Sequence, residues 1–147
     1  MIYIASDHGG FELKKEITAW LTEQELPFKD LGPSTYSELD DYPEYGEKVS
    51  KFVSKNAATD VGILICRSGI GMSIVANKFK GLRASLCWNE HVAASSRVDD
   101  HANVLCLPAD YISLETAERI LRIWLATPFS NAPRHQRRVD EITKLDR

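Results

Sequence analysis

The stretch VGILICRSGIGMSIVANKF, Val61 to Phe79, changes its periodicity halfway along. Val61 to Ile65 is an apolar run broken only by Gly62, the signature of a strand buried on both faces. Cys66 ends the run, and Arg67-Ser68-Gly69-Ile70-Gly71 forms a loop of mostly small residues. Met72, Val75, Ala76 and Phe79 then recur at i, i+3, i+4 and i+7, which predicts a helix. A strand that ends at a thiol, a glycine loop and a helix start together expose free backbone N–H groups near the positive end of a helix dipole.

Outward from this stretch, strands and helices alternate. Ile2 to Ala5 predicts a first strand, and Phe11 to Thr22 a helix with Leu13, Ile17, Trp20 and Leu21 on one face. Pro27 ends that region, and Phe28 to Leu31 reads as a second strand. Gly32 to Asp41 is a polar loop, and Pro43 opens a helix that reaches Lys55. Arg83 to Trp88 and Val104 to Leu107 predict strands four and five, with a helix from Glu90 to Val98 between them. Leu114 to Leu125 is amphipathic, and Val139, Ile142 and Leu145 mark a last helix. The 147 residues carry no repeat or linker and suit a single domain, 1–147. The fold class is α/β: a five-stranded parallel sheet, order 2-1-3-4-5, with helices on both faces and a C-terminal helix. In that order the switch point lies between strands one and three, where Ser6 to Gly10 and Cys66 to Gly71 meet.

A net charge of −3 offers no general attraction to nucleic acid or anionic membranes. No apolar run approaches the ~20 residues of a membrane span, and MIYIA lacks a signal peptide's charged leader, so a cytoplasmic protein is expected. Three cysteines without CxxC spacing argue against disulfides and against a zinc site, and no metal is expected.

Cys66 is open to several readings. It can be a core thiol above a tight turn. A dinucleotide fingerprint fails on glycine spacing and position, and a cysteine phosphatase would need an arginine where Met72 follows Gly71. As a general base, a thiolate whose pKa the loop depresses would remove a carbon-bound proton. The Ser68 hydroxyl and the N–H groups of Ser68 to Gly71 would then hold the oxyanion. Asp7 can cap a helix or fix a substrate hydroxyl, and His8 can bind phosphate or move a proton. Arg134 and Arg138, four apart, share a helical face and form either a solvated basic patch or a phosphate clamp.

SDHGGFELK (6–14), DYPEYG (41–46), GILICRSGIGMSIVANKF (62–79), GLRA (81–84), ANVL (102–105) and RHQRRV (134–139), in this order, resemble the type B ribose-5-phosphate isomerases and galactose-6-phosphate isomerase subunits. The resemblance implies a Rossmann-like fold, a homodimer or dimer of dimers with sites at the subunit interface, a phosphorylated sugar substrate and no cofactor. It implies an aldose–ketose isomerase interconverting ribose 5-phosphate and ribulose 5-phosphate through a cis-enediolate, or acting likewise on a tetrose or hexose phosphate. A non-catalytic sugar-phosphate-binding paralogue is the reading of a different class. Cys66 becomes the proton-transfer base, and Ser68 stands for the family's threonine. Arg67, Gly69, Ile70 and Gly71 line the oxyanion site. Asp7, His8 and Tyr42 face the substrate, and Arg134 and Arg138 hold phosphate. Three departures stand out. Asp99 occupies the family's ring-opening histidine position, which leaves His101, two residues on, as the candidate for that role. Arg67 replaces a glycine, and Asp110 aligns with an arginine. Asp99 and Asp100 are expected to pair with Arg67 or to bind sugar hydroxyls.

Overall fold

Apolar runs form the three central strands of the chain, whose computed structural model describes residues 1–146, and shorter, more polar stretches form the two edge strands. In order, these are β1 (Ile2–Ser6), β2 (Phe28–Asp30), β3 (Val61–Cys66), β4 (Ala84–Leu86) and β5 (Val104–Pro108). The helices are α1 (Phe11–Glu23), α2 (Tyr42–Val53), α3 (Ile70–Ala76), α4 (Glu90–Val98), α5 (Leu114–Ala126) and α6 (Pro133–Thr143). All strand pairs are parallel. The predicted α/β class, parallel five-stranded sheet and C-terminal helix are those observed.

The sheet order is β2-β1-β3-β5-β4, so the two outermost positions on one side are exchanged relative to the expected 2-1-3-4-5. Burial explains the exchange. β5 is buried along its whole length and takes the interior place beside β3. Only three residues of the stretch predicted as strand four join the sheet, all half-buried, and a short strand suits an edge. The switch point between β1 and β3 is unaffected.

Alternation along the strands sorts side chains to two faces. Ile4, Ile63, Ile65, Leu105 and Leu107 pack with Ile17 and Leu21 of α1 and with Ile120 and Trp124 of α5. Ala5, Leu64, Cys66, Val104 and Cys106 pack with Val49 and Val53 of α2 and with Met72 and Ala76 of α3. Cys66 therefore ends β3 on the α2/α3 side. The last helix begins earlier than its apolar spacing indicated, at Pro133, a favoured first-turn residue. It buries His135 and Val139, while Ile142 is 41% and Leu145 77% exposed.

Asn103, almost fully buried just before β5, ties three segments together. Its Oδ1 accepts from Arg83 N–H at 2.8 Å, and its Nδ2 donates to Gly81 O at 2.9 Å and to Ala57 O at 3.2 Å. Asn103→Ala leaves those backbone groups unpaired and is expected to cost about 3 kcal/mol. A urea titration should show the midpoint falling at constant slope.

Candidate functional site

Ser6 pairs with Ile65 at the carboxyl ends of β1 and β3, so the loops after the two strands touch. Their contact is tight: a Cβ on Gly10 would lie 2.7 Å from the Ile65 carbonyl oxygen. Asp7 caps the short turn into α1 by accepting Gly10 N–H at 3.1 Å. Gly69 enters α3 with φ 72°, a left-handed conformation, and a Cβ there would meet Leu107 backbone at 3.2 Å. The chain can therefore turn sharply behind the thiol only with glycine at this position.

A cavity of about 400 Å³ opens where these loops meet. Asp7, His8, Tyr42, Cys66, Arg67 and Ser68 line it, with Ile70, Gly71 and Ile74 on the α3 side. Its size suits a small, polar metabolite. Tyr42 is exposed at the start of α2 and lays its ring against Gly71, where a Cβ would be 2.6 Å from ring carbons. Among the described residues, no group of His, Cys, Asp or Glu is arranged to hold a metal ion, and no helix is long and apolar enough to cross a membrane.

The backbone donors do not all face outward as the sequence suggested. Gly69 N–H donates to Cys66 Sγ at 3.2 Å, and the N–H groups of Met72 and Ser68 also face the sulfur. Ile70 N–H donates to Ser68 Oγ at 3.3 Å, which leaves the hydroxyl proton free to point into the cavity. The expected depression of the thiol pKa is overturned. Burial pushes the Cys66 thiol up, the three N–H donors only partly oppose it, and the nearby Asp7 charge adds to the rise. Burial likewise raises Asp7, with the Gly10 N–H pulling the other way.

The arginine in the loop has a partner different from the expected one. Arg67 Nη1 lies 3.5 Å from Asp110 Oδ2, and Asp110 N–H donates to Arg67 O at 2.9 Å. Asp99 and Asp100 do not meet Arg67. They lie beyond α4 with His101, ahead of β5, whereas Cys66 pairs at the level of Pro108 at the far end of that strand. Four strand steps of ~3.3 Å put the two ends about 13 Å apart. His101 stacks on Phe129 with ring centroids 4.6 Å apart, and burial lowers its pKa, with the Arg83 and Arg97 charges adding. Asp99 Oδ1 lies 3.5 Å from His135 Nε2, to which Arg134 Nε–H donates at 3.2 Å. Arg134 and Arg138 are exposed on α6. The predicted residues thus form two groups. Asp7, His8, Tyr42, Cys66, Arg67, Ser68, Ile70 and Gly71 share the cavity; Gly69, its N–H turned to the Cys66 sulfur, and Asp99, Asp100, His101, Arg134 and Arg138 do not line it.

One residue of the first group escaped the sequence reading. Asp40 Oδ1 accepts both the backbone N–H of His8, at 2.9 Å, and its ring Nδ1, at 2.7 Å. In sequence Asp40 is one of two adjacent aspartates in a polar loop, with nothing to separate it from a solvated acid.

The family model described as Ribose/Galactose Isomerase matches residues 2–142. The probable ribose-5-phosphate isomerase B of Mycoplasma genitalium is 41% identical over 146 residues, covering 99% of this chain and 95% of that protein. Ribose-5-phosphate isomerase B of Escherichia coli K12 is 41% identical over 145 residues, again covering 99% and 95%. The crystal structure of the Mycoplasma genitalium enzyme with bound ribulose-5-phosphate superposes with a TM-score of 0.94 at 42% identity, covering 97% of this chain and 93% of that one.

Because its pKa is raised, the thiolate form of Cys66 grows in only as pH climbs past the ordinary thiol range. The rate of iodoacetamide alkylation at Cys66 should therefore rise with pH to a midpoint above the ~8.5 of a free cysteine. Peptide mapping separates it from Cys87 and Cys106, which are fully buried.

Proposed function

The chain belongs to the ribose/galactose isomerase family, among the type B ribose-5-phosphate isomerases, and is an isomerase; from that premise we propose that it interconverts ribose 5-phosphate and ribulose 5-phosphate through a cis-enediolate. The observation that carries this reading is the thiol itself. A nearly buried sulfur, supported by backbone N–H donors, stands at the floor of a cavity of metabolite size. A core cysteine has no use for such an opening.

The steps follow from the donors present. Cys66 thiolate takes the proton from C2 of the open-chain aldose, and the electrons left behind form the C1–C2 double bond and negative O1. The Ser68 hydroxyl and Gly71 N–H stabilise that oxygen. A proton passes from O2 to O1, the C2 carbonyl forms, and the thiol returns its proton to C1. A thiol with a raised pKa is a stronger base once ionised, so kcat/KM rises with pH on the alkaline side of neutrality.

The phosphate end is completed by a second copy. Asp99, Asp100 and His101 sit by the opposite end of the sheet from the thiol, with Arg134 joined to Asp99 through His135, and a second copy would bring this cluster to the cavity. A two-fold dimer places one protomer's amino-end cluster over its partner's cavity. Ile70, Ile74, Trp88 and Tyr111 at or beside the cavity rim are all more than half exposed, an apolar surface suited to such a contact. In that assembly Arg134 and Arg138 clamp the phosphate, His101, Asp99 and Asp100 face the sugar, and Asp7, His8, Tyr42, Arg67 and Ile70 line the rest.

Two assays test the reading. Cys66→Ser should lower kcat on ribose 5-phosphate by about 10²–10⁴-fold, the weight of a positioned base, with the fold retained. Near-normal turnover would remove the thiol from the mechanism. Mixing Cys66→Ser with Arg134→Ala, each inactive alone, should restore about a quarter of wild-type activity after subunit exchange, because each mixed dimer holds one intact site. No restoration would mean that the site lies within one chain. A panel of tetrose, pentose and hexose phosphates compared by kcat/KM ranks the substrates.

A further inference from the structure

Ribose 5-phosphate in water is a furanose, and its C1–O4 bond must open before C2 can lose a proton. Opening needs a group that takes the O1 hydroxyl proton and delivers one to O4. The thiol cavity offers few candidates. Of the same chain's groups that line it, Cys66 is committed to carbon, the Ser68 hydroxyl to O1, Asp7 accepts Gly10 N–H, Arg67 has no acceptor atom, and Tyr42 lays its ring against Gly71. His8 remains.

The hydrogen bonds of His8 are what distinguish it. An ionised carboxylate can only accept, so the 2.7 Å contact to Asp40 Oδ1 places a proton on Nδ1. Nε2 is then the free acceptor, it carries no hydrogen bond among the described residues, and the ring lines the cavity beside Cys66. The Asp40 side chain is only 8% exposed, and its Oδ1 also receives the His8 backbone N–H. Its Oδ2 is buried and has no hydrogen-bond partner among the described residues, and the Asp40 charge adds to the rise that burial gives the nearby Tyr45 phenol. Two hydrogen bonds from His8 to Oδ1 tie Asp40 to that residue, so it holds the imidazole in one tautomer and one orientation, as a carboxylate does for a catalytic histidine.

We propose that His8 is the catalytic residue that opens the sugar ring and that Asp40 is its positioning residue. Nε2 takes the proton from the O1 hydroxyl, and the O1 electrons form the C1 carbonyl as the C1–O4 bond breaks. The alkoxide O4 then takes the same proton back from Nε2. Both oxygens are bonded to C1, so one nitrogen serves both, and the imidazole ends as it began. Asp40 stabilises the imidazolium that exists between the two transfers. His101, which the proposed dimer brings to the sugar from the partner, has its ring stacked on Phe129 and is assigned no part in ring opening.

The inference rests on the sugar-phosphate reading above, and its test separates the two. Ribulose 5-phosphate is an open-chain ketose, so exchange of its C1 hydrogen with solvent deuterium needs Cys66 but no ring opening. His8→Gln and Asp40→Asn should each lower kcat on ribose 5-phosphate by about a hundredfold, the weight of a positioned acid–base group, and lower the C1 exchange far less. Asparagine keeps the size of Asp40 while removing its charge and turning one acceptor oxygen into an NH2 donor. Nitrogen-15 NMR of the wild-type protein, with the His8 signal assigned from His8→Gln, should show a protonated Nδ1 and a bare Nε2. Equal losses in both assays, a selective loss on ribose 5-phosphate in His101→Gln instead, or an Nε2–H tautomer would overturn the proposal. Failure of the sugar-phosphate reading would show instead as wild-type protein inert toward both substrates.

Discussion

Five consecutive pairings between β1 and β3, from Ile2 opposite Val61 to Ser6 opposite Ile65, bring the loops after both strands to one edge of the sheet. Every feature of the thiol cavity depends on that register. It sets Asp7 beside Cys66, lets Gly10 approach the Ile65 carbonyl and places His8 within reach of the loop that carries Asp40. A slip of one residue would turn Cys66 from the α2/α3 face to the α1/α5 face, because side chains alternate along a strand. The register is held from both sides by apolar side chains with almost no exposure, including Ile4, Ile63, Leu64 and Ile65.

Burial also sets the chemistry. The same packing that fixes Cys66 removes water from the sulfur and raises its pKa, against three backbone donors that favour the thiolate. The result is a resting thiol that becomes a strong base when it ionises, in place of the easily ionised nucleophile that a glycine loop at a helix start suggests. Asp7 is held in the same way, since its desolvation outweighs its capping hydrogen bond. In both groups the desolvation of the charged form exceeds what a few N–H donors return.

The departures from the family pattern fall into two physical groups. Arg67 and Asp110 meet each other at 3.5 Å, so two of the expected departures are an ion pair at the edge of the Cys66 loop. The stem of Arg67 lies over Gly9, where a Cβ would come within 2.4 Å of Arg67 Cγ. Asp99, Asp100 and His101 belong instead to the cluster by α6, around His135 and Phe129. Within a single chain these residues lie at two ends of a sheet that the strands hold apart.

The sequence alone determined the alternation of buried strands and helices, the place of Cys66 at the end of β3 and the crevice between the first and third strands. These follow from periodicity and turn chemistry, which are local and readable within a dozen residues. It placed the outer strands wrongly, because which of two apolar stretches goes to the edge depends on how much of each the helices cover. It named His8 and Tyr42 without their partners, and it expected Asp99 or Asp100 beside Arg67 where the structure has Asp110. Only the tertiary structure joined Asp40 to His8 across 32 residues, paired Arg67 with Asp110 and gave the Cys66 pKa shift its sign. Those outcomes depend on which groups packing brings together and how much water it removes, and neither quantity is written in the spacing of residues along the chain.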